Sequence, residues 1–478
     1  MILPSRGVSV DRDRRAQIRK ALKPSLVMQQ IESLMERSEM RLSMVFSDEE
    51  VNHFCSQLNS KKSRKRAFTP AQTLGLFVEQ TISRNEACST MINQFNKDRK
   101  QKGLMPVSDD ASGYCRARSR LPIELIDALS LRIGSIARNK ALSEWKWMER
   151  NVYMVDGFVL RAPDTLKNQE KYPQPSSQKV GLGFPQVRVV TASSLATGCI
   201  DAYATAPVEG KRTGEATLFR GILDHFKPQD IILGDSNFES YHDVALLSLR
   251  GIDAVFCING TRNSPLRGEC QCIEEVLQTI PKPKLDLNRF TREQWETLPA
   301  TLTYRIIRYR TSGRSSTITI VTTLLDANLY PAQAIAELYG LRWDVEIDIG
   351  CFKTTMGQGE LRCHTPDNIE REIAVSILAY NLVRLLMNDA AQVATLHPRE
   401  ISFSHSRDAW VAFGKEIESA YDLMWIILSA CARFVRDRPG RQEPREIKAR
   451  HTTKYPTLKQ PRPSRARMMS LHPEPQAA

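Results

Sequence analysis

Three carboxylates in this sequence could do chemistry together. Asp156 and Asp235 each directly follow a short apolar run, VYMV at 152–155 and DIILG at 230–234. Such runs read as buried strands, and the ends of strands are where open α/β sheets bind ligands. A tight turn would explain either aspartate alone. The third carboxylate, Glu346, lies in AELYGLRWDVEIDIGCFKTTM at 336–356. Wound as one helix at ~100° per residue, this segment puts Tyr339, Arg342, Glu346 and Lys353 within an arc of about 60°. Leu338, Leu341, Val345, Ile349 and Phe352 form an apolar stripe beside them, and Asp344 and Asp348 are expected on the far, solvent side. An i,i+4 ion pair would explain Arg342 with Glu346, but not the tyrosine and lysine on the same edge.

Carboxylates ~4 Å apart repel by about 4 kcal/mol per pair at an effective dielectric near 20, so a cluster of three needs protons or cations. Oxygen donors with few histidines or cysteines nearby suit Mg²⁺ or Mn²⁺ better than zinc. Two such ions ~3.5–4 Å apart can activate a water or a 3′-hydroxyl and stabilise the leaving oxygen of a phosphodiester. Tyr339, Arg342 and Lys353 would then contact DNA phosphates along the same helix face.

The rest of the chain has to position these groups. It has 478 residues, 41% apolar and 25% charged, which is ordinary globular usage. The net charge of +13 is unevenly spread: residues 433–467 carry +9, while 1–24 and 61–66 carry +5 each, leaving −6 for the remainder. Basic segments around an acidic middle favour contacts with a phosphate backbone. Helices are expected at 70–82, after the Thr69-Pro70 start signal, and at 86–100, 111–120 and 122–138. The third carries Arg116, Arg118 and Arg120 and suits a DNA groove, although a plain surface helix would look the same. From 151 onward strands and helices alternate as β-β-β-α-β-α-β, an α/β domain with a mixed sheet. The expected layout is a helical DNA-binding region at 1–150, a catalytic domain at 151–258 and 327–390 split by a β-rich insertion at 259–326, and a helical region with a basic tail at 391–478. No run of 18 apolar residues occurs and the first residues lack a signal peptide's apolar stretch. The ten cysteines include no CxxC pair. A reduced, cytoplasmic setting is therefore expected, without structural zinc.

Tyr339-x2-Arg342-x3-Glu346-x6-Lys353 resembles the Y-R-E-K signature of the insertion-sequence-four family of DDE transposases at all four spacings. Asp156-Gly157 and Gly234-Asp235 resemble that family's first and second aspartate motifs, and GYCRARSRLP at 113–122 resembles its N-terminal region. The resemblance covers roughly residues 65–390. It implies an RNase H-like core with a β insertion before the last catalytic helix. It also implies a bacterial enzyme that binds terminal inverted repeats, pairs two ends as a dimer, cleaves with Mg²⁺ and joins the 3′-hydroxyl to target DNA. In one respect the sequence departs: relatives often carry arginine after the second aspartate, where Ser236-Asn237 stands here. Trp295, in the insertion, is expected in a core, the other reading being a stack on a flipped base.

Competing chemistries lack their residues. Gly210-Lys211-Arg212-Thr213 has no glycine at the phosphate-loop spacing, no histidine begins H-x-x-R, and there is no G-x-S-x-G. A transposase-derived DNA-binding regulator and a nuclease that cuts without joining remain alternatives.

Overall fold

The computed structural model describes residues 48–58, 67–258, 265–266, 270, 272–285, 291–310, 317–413, 420–431 and 459–461. The basic segments 1–24 and 61–66, and 433–467 apart from 459–461, lie outside the described residues.

Helices α1 (Asp48–Leu58), α2 (Pro70–Ile82), α3 (Cys88–Gln101), α4 (Ser112–Arg118) and α5 (Ile123–Lys140) precede the first strand. The start of α2 follows from its residues. The Thr69 hydroxyl accepts from the Gln72 amide, the Gln72 side chain accepts from the Thr69 amide, and Pro70 fills the position whose N–H has no partner in any helix.

After these helices come β1 (Val152–Arg161), α6 (Leu166–Lys171), β2 (Gln186–Ser194), β3 (Ile200–Pro207), α7 (Glu215–Gly221), β4 (Ile231–Gly234), α8 (Tyr241–Leu249), β5 (Asp253–Cys257), β6 (Glu274–Pro281), α9 (Arg292–Glu296), β7 (Thr301–Arg310) and β8 (Thr317–Thr322). They form one eight-stranded sheet in the order β3-β2-β1-β4-β5-β8-β7-β6. The antiparallel meander β1–β3 is followed by β4 and β5, which run parallel to β1. This is the RNase H-like arrangement expected from the sequence. The strands of segment 259–326 are an insertion in sequence but not a separate body, since β8 pairs antiparallel with β5 and carries β7 and β6 onto the same sheet.

Beyond β8 lie α10 (Ala332–Gly340), α11 (Asp344–Gly350), α12 (Pro366–Ala394), α13 (Phe403–Phe413) and α14 (Ala420–Cys431). The segment 336–356 is not one uniform helix. A 3₁₀ turn over Leu341–Trp343 joins α10 to α11, and a π turn over Cys351–Thr355 follows. A 3₁₀ residue advances the chain by about 120° and a π residue by less than 100°, so the arc drawn with constant twist does not hold. Leu341, expected in the apolar stripe, is exposed, while Asp348, expected in solvent, is 2% exposed.

Layers cover both faces of the sheet. Tyr153 and Val155 of β1 join Phe219, Val244 and Phe256 in one core, while Val152 and Met154 join Ile335, Leu338 and Val345 in another. The alternation along β1 is the period-two pattern of a strand buried on both faces. Helix α12 is the centre of the third and largest core, packed against α5, α2 and α14. It is long and apolar enough to cross a membrane by composition alone, yet its whole apolar window is buried inside the protein.

Several polar groups of α12 are paired with other elements. Asn381 accepts from the Ile200 amide and donates to the Ile200 carbonyl, both at 2.8 Å. Arg384 contacts Asp348, and Arg399 grips the same carboxylate through two bonds of 3.0 Å. Beside this network, His397 Nδ1 accepts from the Arg399 amide at 3.2 Å. Burial, then the Arg399 charge, hold the imidazole down at about 4. The unfolded chain therefore takes up this proton first, and stability falls as pH drops from about 6.5 towards 4. Thermal melts at pH 7 and pH 5 should show a larger loss for the parent than for His397→Gln; equal losses would refute the assignment.

Candidate active site

Asp156 is not at a strand end. It is the fifth residue of β1, paired with Thr191 of β2. What ends there is the pairing on the other side: β1 is parallel to β4 only from Val152 to Met154. The register that sets Met154 opposite Leu233 places Asp156 opposite Asp235 two residues further on. The two aspartates thus project from neighbouring parallel strands just where the ladder between them opens.

Asp156 is largely buried, with the Gly157 amide donating to its Oδ1 at 2.7 Å and Arg342 lying 3.7 Å from its Oδ2. Burial pushes its carboxyl up to about 6; the Gly157 bond and Arg342 pull it down, and the charges of Asp235 and Glu215 push it up. Asp235 caps the turn after β4, accepting from the Asn237 amide at 2.8 Å and from Asn237 Nδ2 at 3.3 Å. Glu346, on α11, is more open to solvent and lies 3.5 Å from Arg342. The Arg342 guanidinium therefore bridges Asp156 and Glu346, joining a strand residue to a helix residue far away in sequence.

Sequence reasoning missed Glu215. It is the first residue of α7, and its Oε2 accepts from Asn237 Nδ2 at 3.3 Å. Its carboxylate lies over Gly157, where an added Cβ would come within 2.6 Å of Oε1. Gly157 read as a turn residue; it is a strand glycine that makes room for a carboxylate. No spacing or periodicity marks Glu215, because it reaches the site only through the packing of α7 on the sheet. Gly157→Ala would push Glu215 off Asn237 at little cost in stability, because the atoms in the way are the end of a flexible side chain. It should lower divalent-cation affinity by about ten- to a hundredfold, as loss of an outer partner of a metal ligand does. Titration calorimetry checks the affinity, and an unchanged melting temperature checks the fold.

Among the described residues no group of three His, Cys, Asp or Glu side chains is close enough to hold a metal ion. The guanidinium of Arg342 stands among the carboxylates instead. The donor chemistry still suits a hard divalent cation: Asp156, Asp235, Glu215 and Glu346 offer oxygen only, and burial, with the charges of Asp235 and Glu215, holds Asp156 above the usual carboxylate range.

The other expected contacts divide. Lys353 lies over the Phe158 ring, 6.0 Å from its centre, with no carboxylate of the described residues within ion-pair distance. Tyr339 faces inward; its ring is buried and its hydroxyl donates to the Cys257 sulfur, which removes it from any solvent-facing stripe. Arg118 is also turned inward, stacked 3.6 Å from the Phe77 ring centre and bonded to Gln80, so its expected role in DNA contact is corrected to a structural one. Arg116 and Arg120 of the same segment are exposed. Trp295 is half-buried rather than in a core, with its N–H bonded to the Pro283 carbonyl and Lys282 4.0 Å over its ring.

Residues 147–382 match the transposase DDE domain family. The fold and this match are those of a transposase DDE domain. The chain is 25% identical over 350 residues, 72% of its own length and 75% of the relative's, to "Transposase InsG for insertion sequence element IS4" of Escherichia coli (strain K12). Together these two matches support a DDE transposase of the insertion-sequence-four kind. A piggyBac transposase synaptic complex with hairpin DNA superposes over 91% of each chain, with 11% identity and a TM-score of 0.38.

Proposed function

We propose that this chain is an active, Mg²⁺-dependent transposase that binds the terminal inverted repeats of its own insertion sequence, cleaves the DNA there and joins the freed 3′-hydroxyls to target DNA. The supporting observation is the register of β1 against β4, which aligns Asp156 with Asp235, together with Arg342, which draws Glu346 towards them. Asp156, Asp235 and Glu346 are the catalytic carboxylates and would hold the metal, with Glu215 and Asn237 orienting Asp235. When bound, Mg²⁺ (or Mn²⁺ in its place) supplies positive charge to activate the attacking oxygen and stabilise the leaving one.

Arg342 has two anionic partners in the free protein. A DNA phosphate entering the site competes for it, and the same guanidinium geometry that fits a carboxylate fits a phosphate. Lys353, without an acidic partner among the described residues, is available for a second phosphate. Arg116 and Arg120 are exposed on and beside α4 and would add backbone contacts that position the DNA without reading its sequence. Cut-and-paste transfer of two ends calls for two copies of the chain in the synaptic complex.

The test uses purified protein and a duplex carrying the element's own ends. With Mg²⁺ it should give nicks exposing 3′-hydroxyls at the repeat boundaries and strand-transfer products; with EDTA it should only bind. Binding without cleavage in both Mg²⁺ and Mn²⁺ would overturn the reading in favour of a DNA-binding regulator. Cleavage without joined products would favour a nuclease.

A further inference from the structure

Arg118 is the centre of a cluster of thiols away from the carboxylates. Its Nη1 donates to Cys88 Sγ and its Nη2 to Cys363 Sγ, each at 3.3 Å. Gln80 Nε2 donates to Cys88 Sγ at 3.5 Å, and the Cys115 thiol also hydrogen-bonds that sulfur. The three cysteines come from different elements: Cys88 is the first residue of α3, Cys115 lies on α4, and Cys363 lies just before α12. They line a cleft of about 280 Å³ together with Arg118, Arg362 and His364. Cys115 is exposed, Cys88 half-buried.

The guanidinium occupies the place between the sulfurs that a metal would take, which argues against a metal site. It makes sense instead as the counter-ion of a thiolate. A fixed arginine, a helix N-terminus without a side-chain cap, and an open cleft are the surroundings that make a cysteine reactive. We propose that Cys88 is a peroxide-sensitive thiolate and Cys115 its resolving partner, the pair forming a reversible disulfide that ties α3 to α4.

The Cys88 thiol is held below the usual range by the Cys115 bond, the Arg118 charge and the Gln80 bond, against burial. The other titratable groups around it are Glu86 and His364 at the cleft, and Tyr114, Cys363 and Glu372, which act on Arg118. Glu372 is itself held by the amides of Arg362 and Cys363. The chemistry balances with hydrogen peroxide as oxidant. The Cys88 thiolate attacks one peroxide oxygen and the O–O bond breaks, giving a sulfenic acid and hydroxide. The Cys115 thiol then attacks the Cys88 sulfur and the S–O bond breaks, giving a disulfide and water.

The test uses the full chain under non-denaturing conditions and is independent of transposition. At pH 7, iodoacetamide should label Cys88 about tenfold faster than the exposed Cys272. Dilute peroxide should lower the intact mass by two hydrogens, link the Cys88 and Cys115 peptides, and be reversed by dithiothreitol. In Cys115→Ser, dimedone should trap a sulfenic acid at Cys88. Labelling of Cys88 no faster than of Cys272, or a peroxide-formed bond between any other pair, would overturn the proposal.

Discussion

Asp156→Asn should reduce DNA cleavage by more than about a hundredfold, the loss that removing a mere outer partner of a metal ligand causes, while leaving binding to DNA ends intact. The amide keeps the volume of the carboxylate, and its oxygen can still accept from the Gly157 amide, so β1 is undisturbed. What goes is the charge. Without it the site loses one of the two aspartates that the β1–β4 register aligns, and Arg342 loses one of its two anionic partners. Removing a negative charge beside incoming phosphates should leave end binding unchanged or slightly tighter. Gel-shift titration and a single-turnover cleavage assay on the same protein separate the two effects. Cleavage within tenfold of the parent would show that Asp156 is not part of the catalytic set.

Asp348→Ala should destabilise the fold by about 3–5 kcal/mol, because it removes the one carboxylate shared by two buried guanidiniums. Arg384 and Arg399 both close on Asp348, and neither can give up its charge. Left without the carboxylate, they face each other at the junction of α11, α12 and the segment after α12. A shift in the midpoint of urea unfolding, with unchanged slope, measures the cost. Glu346→Gln, two residues away on the exposed side of α11, is the control and should change the unfolding free energy by under about 0.5 kcal/mol. Equal small shifts in both variants would mean that the network relaxes around the missing side chain.

These two residues also show what could be read from the sequence. The strands of the core and the Thr69-Pro70 helix start are legible because each depends on local chemistry, a two-residue alternation and a cap; the three proposed catalytic carboxylates rest on a motif at fixed spacing. Asp156 was assigned to a strand end because apolar residues stop there, whereas β1 continues along β2 for five more residues. A helical wheel sends Asp348 to solvent because it assumes constant twist, and the 3₁₀ turn at Leu341–Trp343 breaks that assumption. Arg118 looked like a DNA contact from its basic neighbours; Phe77 and Gln80, which draw it inward, are about forty residues away in sequence. Glu215 could not be found at all, because its partners Gly157 and Asn237 come from two other elements.

The facing of Asp156 and Asp235 is set by a ladder only three residue pairs long. The length of the loops between those strands therefore does not set the register of the two side chains. Residues added in the exposed stretch 176–180, outside that ladder, should leave the two aspartates opposite each other, which makes it a place for a peptide tag or fluorophore. A single added residue inside 152–156 would instead turn the first aspartate to the opposite face of the sheet. Descendants of such an element can drift widely in length while their cutting centre stays fixed.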